Sequence, residues 1–299
     1  MKKPNFIIAG FPKCGTTSLH HYLDKHPEIY MPAQKELHFF THNILSKLNN
    51  GPKDAIVKKT QISNSEKYLN FYKNVRNEIA IGDASPSYIN YPSQYKKIKD
   101  YLNDPKVIII LRDPIDRAYS NYLHLKREQR EHLTFKEAIS AEDERKRNKY
   151  SDFWYYKFNS TYYDKIIMAK ETFSDVLILT SEELSNNGEA TLKKIYKFLE
   201  VDDTFKLKGN FNNFNKAGYY RQNIFTKIIF QPSILRNTIK KLIKPTPFLK
   251  IIIAKIANTF SKKPEKIDVE SLKFLKKHFK KEVEKLETIN IDTSKWRDY

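Results

Sequence analysis

One stretch near the start of the chain decides its fold: Phe6-Ile-Ile-Ala-Gly-Phe-Pro-Lys-Cys-Gly-Thr-Thr-Ser-Leu19. Its apolar beginning, Phe6 to Ala9, predicts a short buried strand, and the residues from Gly10 to Gly15 predict a tight loop. A helix is expected over Thr16 to His26, because the following Pro27 does not continue it. Loop amides and the positive end of the helix dipole converge where such a helix begins, so the stretch predicts an anion-binding site.

The loop differs from that of nucleotide-hydrolysing proteins, which is G-x-x-x-x-G-K-[ST]. Gly10 and Gly15 have the required spacing, but Thr16 takes the place of the lysine. The lysine of this chain, Lys13, lies inside the loop instead. It can still reach a phosphate group at the turn, whereas the magnesium arrangement is not reproduced. The alternative is a tight turn between strand and helix with an incidental lysine.

Three further runs predict strands: Glu78 to Gly82, Lys106 to Leu111 and Asp175 to Thr180, the last two buried. Helices are predicted after an N-cap at Asp113 to about Glu128, over Glu189 to Glu200 and over Val269 to Thr288. Strands that alternate with helices are typical of a parallel sheet with helices on its faces. The sequence therefore predicts a single α/β domain over residues 1–299, with a central parallel sheet flanked by helices.

The composition is strongly basic, with 54 Lys and Arg residues against 35 Asp and Glu residues and a formal net charge of +19. This charge favours a polyanionic partner, such as a nucleotide, a nucleic acid, an anionic membrane or an acidic polysaccharide, and does not choose among them. Hydrophobic residues make up 40% of the chain. That fraction is enough for a sizeable core and excludes general disorder.

Signals for a cellular compartment are few. Cys14 is the one cysteine of the sequence, so no intrachain disulfide is possible. No apolar run approaches the roughly 18 to 20 residues that cross a bilayer. The first strand follows Met1 so closely that no apolar region of a signal peptide is expected before it. These features together predict a cytoplasmic protein.

A second candidate anion-binding element is Leu111-Arg-Asp-Pro-Ile-Asp-Arg-Ala-Tyr-Ser120. Arg112 follows a strand at the end where ligands of open α/β sheets bind. Ser120 lies two turns into the next helix and reaches the same crevice only if that helix turns toward it. A guanidinium and a hydroxyl together would give a phosphate both charge and directed donors. The alternative for Arg112 is a salt-bridged strand end.

Together these elements resemble the sulfotransferase family that uses 3′-phosphoadenosine 5′-phosphosulfate (PAPS). Pro12-Lys-Cys-Gly-Thr-Thr-Ser-Leu19 is similar to the family's 5′-phosphosulfate loop, and Arg112-Asp-Pro-Ile-Asp-Arg-Ala-Tyr-Ser120 is similar to its 3′-phosphate motif. Asn215-Lys-Ala-Gly-Tyr-Tyr-Arg221 resembles the late loop that closes over the nucleotide in bacterial members. The resemblance spans nearly the whole chain and implies a fold related to that of the P-loop nucleotide kinases.

The resemblance implies PAPS as the sulfuryl donor, with no required metal, and a set of donor-binding residues. These are Lys13, Cys14, Gly15, Thr16, Thr17 and Ser18 at the 5′-phosphosulfate, Arg112 and Ser120 at the 3′-phosphate, and Arg221 over the nucleotide. Within this set Cys14 is interpreted as a small filler of the loop, since sulfuryl transfer needs no thiol. Lys13 is also expected to be catalytic, as the cation that stabilises the departing bridging oxygen.

The segment Gln34-Lys-Glu-Leu-His-Phe-Phe40 resembles the one that carries the catalytic base in the carbohydrate, heparan-sulfate-like branch of the family. The resemblance implies that Glu36 accepts the proton of the acceptor hydroxyl. A solvated pair of Lys35 and Glu36 is the alternative. His38 is the second candidate for the base, because histidine titrates nearest neutrality.

One position departs from that branch. Ala84, in Asp83-Ala-Ser-Pro-Ser-Tyr88, stands where carbohydrate-type members usually have a lysine near the reaction centre. Either the acceptor differs, or a neighbouring lysine such as Lys35 takes its place. The branch implies a hydroxyl of a saccharide or a lipid-linked glycan as the acceptor, and a small alcohol, sterol or phenol stays open.

Residues 224–260 form an apolar and basic segment without an acidic residue, interrupted by prolines. The pattern predicts a pair of basic amphipathic helices. They either rest on an anionic membrane, at its inner face, and deliver a lipid-linked acceptor, or pack on the core as one wall of the acceptor cleft.

Two other classes of protein share some of these features. A P-loop nucleotide kinase or NTPase has the same strand, loop and helix, but the missing G-K-[ST] argues against it. A nucleic-acid-binding protein would suit the basic charge, yet the sequence contains no recognition helix, zinc-ligand spacing or aromatic RNA-binding motif. Nucleic acid is therefore not expected as a partner.

Overall fold

A computed structural model describes residues 2–57, 61–207, 219–220, 261–262 and 266–299. Five strands form one parallel sheet in the order β2-β3-β1-β4-β5. They are β1 (Phe6–Gly10), β2 (Ile29–Tyr30), β3 (Ala80–Ala84), β4 (Lys106–Leu111) and β5 (Val176–Thr180). A short antiparallel pair, β6 (Tyr219–Tyr220) with β7 (Ser261–Lys262), stands apart from this sheet. The predicted α/β fold with a central parallel sheet is confirmed.

Helices connect and flank the strands. They are α1 (Thr16–Leu23), α2 (His42–Leu45), α3 (Asp54–Val57), α4 (Ser65–Asn70), α5 (Tyr95–Leu102), α6 (Pro114–Arg127), α7 (Phe135–Ser140), α8 (Glu142–Arg147), α9 (Tyr163–Thr172), α10 (Ser181–Asn186), α11 (Gly188–Leu199) and α12 (Val269–Thr288). Short 3₁₀ turns lie at Tyr88–Asn90, Pro92–Gln94, Asp152–Trp154 and Phe158–Ser160. The predicted bounds of α12 are those observed, and the N-cap of α6 is Asp113, whose side chain accepts from the N–H of Asp116.

The centre of the sheet is its most deeply buried part. Ile108, Ile109 and Ile110 of β4 are fully buried, and burying one such side chain contributes about 1.5–3 kcal/mol. Because all five strands run in the same direction, their carboxyl ends lie at one edge. The loops that follow β1, β3, β4 and β5 therefore emerge side by side, which is where ligands of such sheets bind.

Two hydrophobic clusters hold the helices in place. The larger one surrounds the sheet and includes Val283 and Leu286 of α12. The smaller one lies between α6 and α7 and includes Trp154 together with Leu275 and Phe279, also of α12. Since α12 contributes to both clusters, it joins the sheet layer to the helices that follow β4.

Three local predictions were wrong in detail. The first helix ends at Leu23 rather than His26, because the chain closes with short turns before Pro27. β3 runs two residues further than Gly82, through a buried aspartate that usually signals a strand end. β5 was expected to be buried, but it is an edge strand whose first three residues are only half-buried.

Candidate active site

The loop after β1 is open to an anion. Gly15 is the N-cap of α1 with a φ of +106°, a left-handed conformation that glycine adopts without strain. No side chain caps this helix within the described chain, so the N–H groups of Thr16, Thr17 and Ser18 in its first turn have no capping acceptor. The loop therefore presents backbone donors at the positive end of the helix dipole.

A cavity of about 290 Å³ lies in front of this loop. Lys13, Gly15, Thr16 and Thr17 of the loop line it, and so do Glu36 and His38. Its other lining residues, here together called the far wall, include Leu45, Asp54, Gln61, Arg130, Asp152 and Phe153. The structure thus brings the candidate anion loop and both candidate bases to one cavity, although they come from separate parts of the sequence.

The segment with the two candidate bases lies along the carboxyl end of β3. The N–H of Glu36 donates to the carbonyl of Ala84 over 2.8 Å, and the N–H of His38 approaches the hydroxyl of Ser85 at 3.2 Å. Between them the side chain of Leu37 is fully buried. Glu36 and His38 both have a positive φ, 61° and 52°. Such conformations are uncommon for residues with a Cβ and are found where the surrounding structure fixes them.

The end of β3 is itself fixed by a buried carboxylate. Asp83 accepts hydrogen bonds from the hydroxyls of Tyr68, Ser85 and Tyr88 at 2.9, 2.7 and 2.8 Å. Burial raises the pKa of Asp83, and these three hydroxyl donors oppose that rise. The network holds the turn that carries the partner of His38, since the Ser87 hydroxyl lies 2.7 Å from His38 Nδ1.

Lys35 connects the anion loop to Glu36. Its Nζ lies 2.6 Å from Glu36 Oε1 and 3.0 Å from Thr17 Oγ1. Burial raises the pKa of the Glu36 carboxyl, but Lys35 and then His38 outweigh this effect and hold the pKa below its ordinary value. Glu36 is half exposed and ionised at neutral pH, so it is available as a proton acceptor at the cavity surface.

Lys13 lies among other cations. Burial and the nearby charges of Arg127 and Arg117 lower its pKa to about 8. Arg112, at the carboxyl end of β4, acts in the same direction, so the second candidate anion-binding element lies within electrostatic reach of the first. A group of cations held this close together favours a bound anion.

Arg117 is a buried cation with few hydrogen-bond partners in the described part of the chain. Its side chain is fully buried. Nη2 donates to Asn121 Oδ1 at 2.9 Å, whereas Nε and Nη1 have no hydrogen-bond partner among the described residues. Burial lowers the pKa of Arg117. A buried guanidinium without a carboxylate is costly, and here its field adds to the positive potential behind the anion loop.

His124 was missed in the sequence. Its Nδ1 lies 3.5 Å from Lys13 Nζ and 3.0 Å from Arg127 Nη2, and its Nε2 lies 3.5 Å from Glu128 Oε1. Burial lowers the pKa of His124. The signal that could have found it is helical spacing, because His124 and Glu128 follow Ser120 at steps of four residues on or just after α6.

The far wall of the cavity contains a buried ion pair that the sequence did not reveal. Asp54 pairs with Arg130, and both side chains are at most 2% exposed. Asp54 also accepts from the Ser151 hydroxyl and the Trp154 indole N–H, at 2.8 and 3.1 Å. Glu128 accepts from Arg130 Nη1 at 3.1 Å. This network fixes three loops that are far apart in the sequence and shapes the far wall of the cavity.

Several predicted donor residues lie away from the cavity. Cys14 is not among the residues that line it. Its side chain is 1% exposed, its thiol approaches the carbonyl of Pro12, and its backbone N–H donates to the carbonyl of Phe11. Burial raises the pKa of Cys14 to about 12, which agrees with the role of a filler. Ser18 and Ser120 are half-buried and do not line this cavity, and Arg221 lies outside the described residues.

Two further observations concern the described part of the chain. No group of three or more His, Cys, Asp or Glu side chains there has an arrangement that could hold a metal ion. No helix there is both long and apolar enough to cross a membrane. The basic segment at residues 224–260 lies outside the described residues.

Comparison with known proteins identifies the family. The model of the sulfotransferase family matches residues 4–205, which is more than half of the chain. The chain therefore belongs to the sulfotransferase family. This result favours the sulfotransferase over the nucleotide kinase that the loop alone left open.

The similar proteins are sulfotransferases as well. The chain is 37% identical over 119 residues to the membrane-associated sulfotransferase kil1 of Dictyostelium discoideum, covering 40% of this chain and 22% of that protein. It is 25% identical over 255 residues to carbohydrate sulfotransferase 15 of Mus musculus, covering 66% of this chain and 44% of that protein. These matches span less than half of either relative.

A crystal structure extends the similarity to the fold. The sulfotransferase from Alicyclobacillus acidocaldarius superposes with a TM-score of 0.65 and 34% sequence identity, covering 71% of this chain and 89% of that chain. The parallel sheet and its flanking helices are thus the fold of a solved sulfotransferase.

The buried pair of Asp54 and Arg130 gives a test of the cavity wall. Asp54→Ala leaves the Arg130 charge buried without its partner, so we expect the free energy of unfolding to fall by about 3–5 kcal/mol. Urea unfolding of both proteins measures the difference. The matched control is Asp100→Ala, which breaks an exposed pair with Lys96 and should change the stability by less than about 0.5 kcal/mol. Similar losses in the two variants would contradict the assignment.

Proposed function

We propose that this enzyme transfers the sulfuryl group of PAPS to a hydroxyl of a saccharide or a lipid-linked glycan. One observation carries the proposal. The Glu36 carboxylate lines the same cavity as the Lys13 loop, so a proton acceptor and an anion-binding site with a cation share one space. Transfer from an anionic donor to a hydroxyl needs both groups in one site.

The step follows from these positions. The acceptor oxygen attacks the sulfur atom while its proton passes to the Glu36 carboxylate. The bond between sulfur and the bridging oxygen breaks, and its electron pair stays on the 5′-phosphate of the leaving nucleotide, 3′-phosphoadenosine 5′-phosphate (PAP). Lys13 and the N–H groups at the start of α1 stabilise the charge that develops there. The role of Lys13 requires its protonated form, which predominates at neutral pH because its pKa is about 8.

The rest of the nucleotide is assigned by the resemblance. Arg112 and Ser120 hold the 3′-phosphate, and Arg221 covers the nucleotide. The position of Arg112 at the carboxyl end of β4, close enough to lower the pKa of Lys13, supports this assignment. No magnesium is needed in this mechanism, because the cationic side chains meet the charge of the donor.

Lys35 supplies the cation that carbohydrate-type members usually have as a lysine at the position of Ala84. Its Nζ already bridges the loop residue Thr17 and the candidate base Glu36. When a donor occupies the loop, the ammonium of Lys35 can turn from Glu36 to the sulfuryl oxygens. The carboxylate is then released to accept the proton. His38, held by the Ser87 hydroxyl, positions the segment and is the second candidate for the base.

The acceptor is proposed from the cavity and the relatives together. The far wall combines Gln61 and Asp152, which can hydrogen-bond to hydroxyls, with the ring of Phe153, and this mixture suits a sugar ring. Carbohydrate sulfotransferase 15 is named for acceptors of this class.

The charge of Lys13 makes donor binding depend on pH. Above a pH of about 8 Lys13 loses its proton, so each further unit should weaken PAP binding by up to about tenfold. The matched variant is Lys13→Arg, which stays charged across this range and should give a flatter profile. Calorimetric titration of PAP between neutral and alkaline pH, with chelator present, measures both.

Two outcomes would count against this reading. The first is a wild-type profile as flat as that of the arginine variant, since other titrating groups are common to both proteins. The second is stabilisation of the wild type by magnesium-ATP but not by PAP, which would point to a nucleotide kinase instead.

Lys13→Ala should lower kcat by about 10²–10³ while the protein stays folded.

Glu36→Gln tests the base. The amide keeps the size of the side chain but cannot take the proton, so kcat should fall by about 10²–10⁴ while PAP binding persists. A radiolabelled-sulfate assay over a panel of saccharides and small alcohols measures turnover and the acceptor class together. If His38→Ala abolishes turnover while Glu36→Gln is nearly silent, His38 is the base.

The same assay reports on Lys35. Because Lys35 lowers the pKa of Glu36, the acidic limb of the kcat/KM profile should lie below the ordinary carboxyl range. Lys35→Ala removes that cation, so the limb should move to higher pH as kcat falls. An unchanged limb would show that Glu36 and Lys35 are not coupled in the working enzyme.

Contact with an anionic membrane is also part of the proposal. Residues 224–260 contain seven Lys or Arg residues and no Asp or Glu, and one of the relatives is named as membrane-associated. Each basic residue near such a surface contributes about 1 kcal/mol. Sedimentation with phosphatidylglycerol vesicles should show binding that salt weakens and that Lys240, Lys241 and Lys244 changed to Glu abolish. Absence of binding at low salt would leave only the role of cleft wall.

A further inference from the structure

A segment outside the family match reaches the candidate donor site. Residues 293–299, here called the clasp, follow α12 and lie at the carboxyl ends of β4 and β5. The backbone N–H of Arg297 donates to Asp113 Oδ2 over 3.0 Å, and its guanidinium pairs with Asp116. The indole N–H of Trp296 donates to Glu182 Oε2 over 3.2 Å. The clasp thus joins the start of α6 to the start of α10.

The clasp is firmly held. Trp296 is 8% exposed, and its backbone N–H donates to the carbonyl of Thr293 over 2.8 Å. Tyr299 packs against both hydrophobic clusters. Thr293 in turn donates to Glu287 of α12 over 2.5 Å. Because the segment is anchored to α12 on one side and to the core on the other, the position of Arg297 is fixed.

Two of the acidic residues that the clasp contacts closely follow Arg112 in the sequence. Asp113 is the next residue in the chain, and Asp116 lies in the first turn of α6. One oxygen of Asp113 caps the helix, the other accepts from Arg297, and Arg297 Nε stands 3.8 Å from the capping oxygen. Without Arg297 these two carboxylates would oppose the charge of Arg112 and repel a phosphate bound there.

We propose that Arg297 is a positioning residue of the donor site. It neutralises Asp113 and Asp116, so that Arg112 offers its full charge to a ribose 3′-phosphate, while Trp296 holds α10 to the same edge of the sheet. This inference rests on the proposed function, because that function places the 3′-phosphate at Arg112. The ligand class that it concerns is a nucleotide with a phosphate on the ribose 3′ position.

The experiment compares two nucleotides that differ only in that phosphate. Calorimetric titration with PAP and with 5′-AMP at low salt gives the contribution of the 3′-phosphate in each variant. Arg297→Gln should weaken PAP binding by about three- to tenfold and leave 5′-AMP within about twofold, since the repulsion acts on the 3′-phosphate. The difference should shrink at high salt. In turnover assays the KM for PAPS should rise while kcat is unchanged.

A double variant separates charge from tethering. Arg297→Gln combined with Asp116→Asn removes the guanidinium and one of the carboxylates that it neutralises, so most of the lost PAP affinity should return. Arg297→Lys keeps the charge with fewer contacts and should stay within about threefold of the wild type. If Arg297→Gln does not fold, the lysine variant and Asp116→Asn alone, which should not weaken PAP binding, carry the test.

The outcomes are distinguishable. Wild-type protein that binds PAP no better than 5′-AMP would contradict the 3′-phosphate site itself, and with it the proposed function. Wild-type protein that discriminates, combined with an equal loss for both nucleotides in Arg297→Gln, would overturn the role of Arg297. A double variant that recovers nothing, or a lysine variant as weak as the glutamine variant, would overturn it as well.

Discussion

Positive charge gathered at the carboxyl edge of a parallel sheet is the constraint on which this structure depends. Lys13 follows β1, Arg112 follows β4, and Arg117 lies one turn into α6. Removing cations from water is costly, and like charges placed together raise the cost; the lowered pKa of Lys13 reflects both effects. The surrounding elements hold these groups in place, as the left-handed Gly15 and the capped start of α6 illustrate.

Most acidic residues near this edge are paired with other side chains, so they do not neutralise the positive charge of Lys13, Arg112 and Arg117. Asp54 is engaged with Arg130, Glu128 with His124 and Arg130, and burial raises the pKa of Glu128 while these partners lower it to about 2. Glu36 differs from them, because it is half exposed and its partner is a lysine on a flexible stem. A carboxylate that can leave its partner is suited to accept a proton, whereas a buried pair serves as framework.

The family match and the fold divide the chain in an informative way. Residues 4–205 contain all five strands of the sheet, the anion loop and the segment with Glu36. α12 and the clasp lie outside the matched region, yet α12 packs into both hydrophobic clusters and the clasp contacts the start of α6. The matched region thus contains the carboxyl edge of the sheet with the candidate site, and the later residues pack against it.

The sequence by itself determined what local signals encode. The apolar run of β1, the glycines of its loop, the N-cap at Asp113 and the bounds of α12 follow from short-range propensities, and the loop motif was specific enough to indicate the family. Only the tertiary structure decided which distant side chains meet. Lys13 and His124 are 111 residues apart in the chain, and Asp54 and Arg130 are 76 apart. Such pairs depend on strand order and helix packing, which no local pattern encodes, and the same holds for the edge position of β5 and the inward side chain of Cys14.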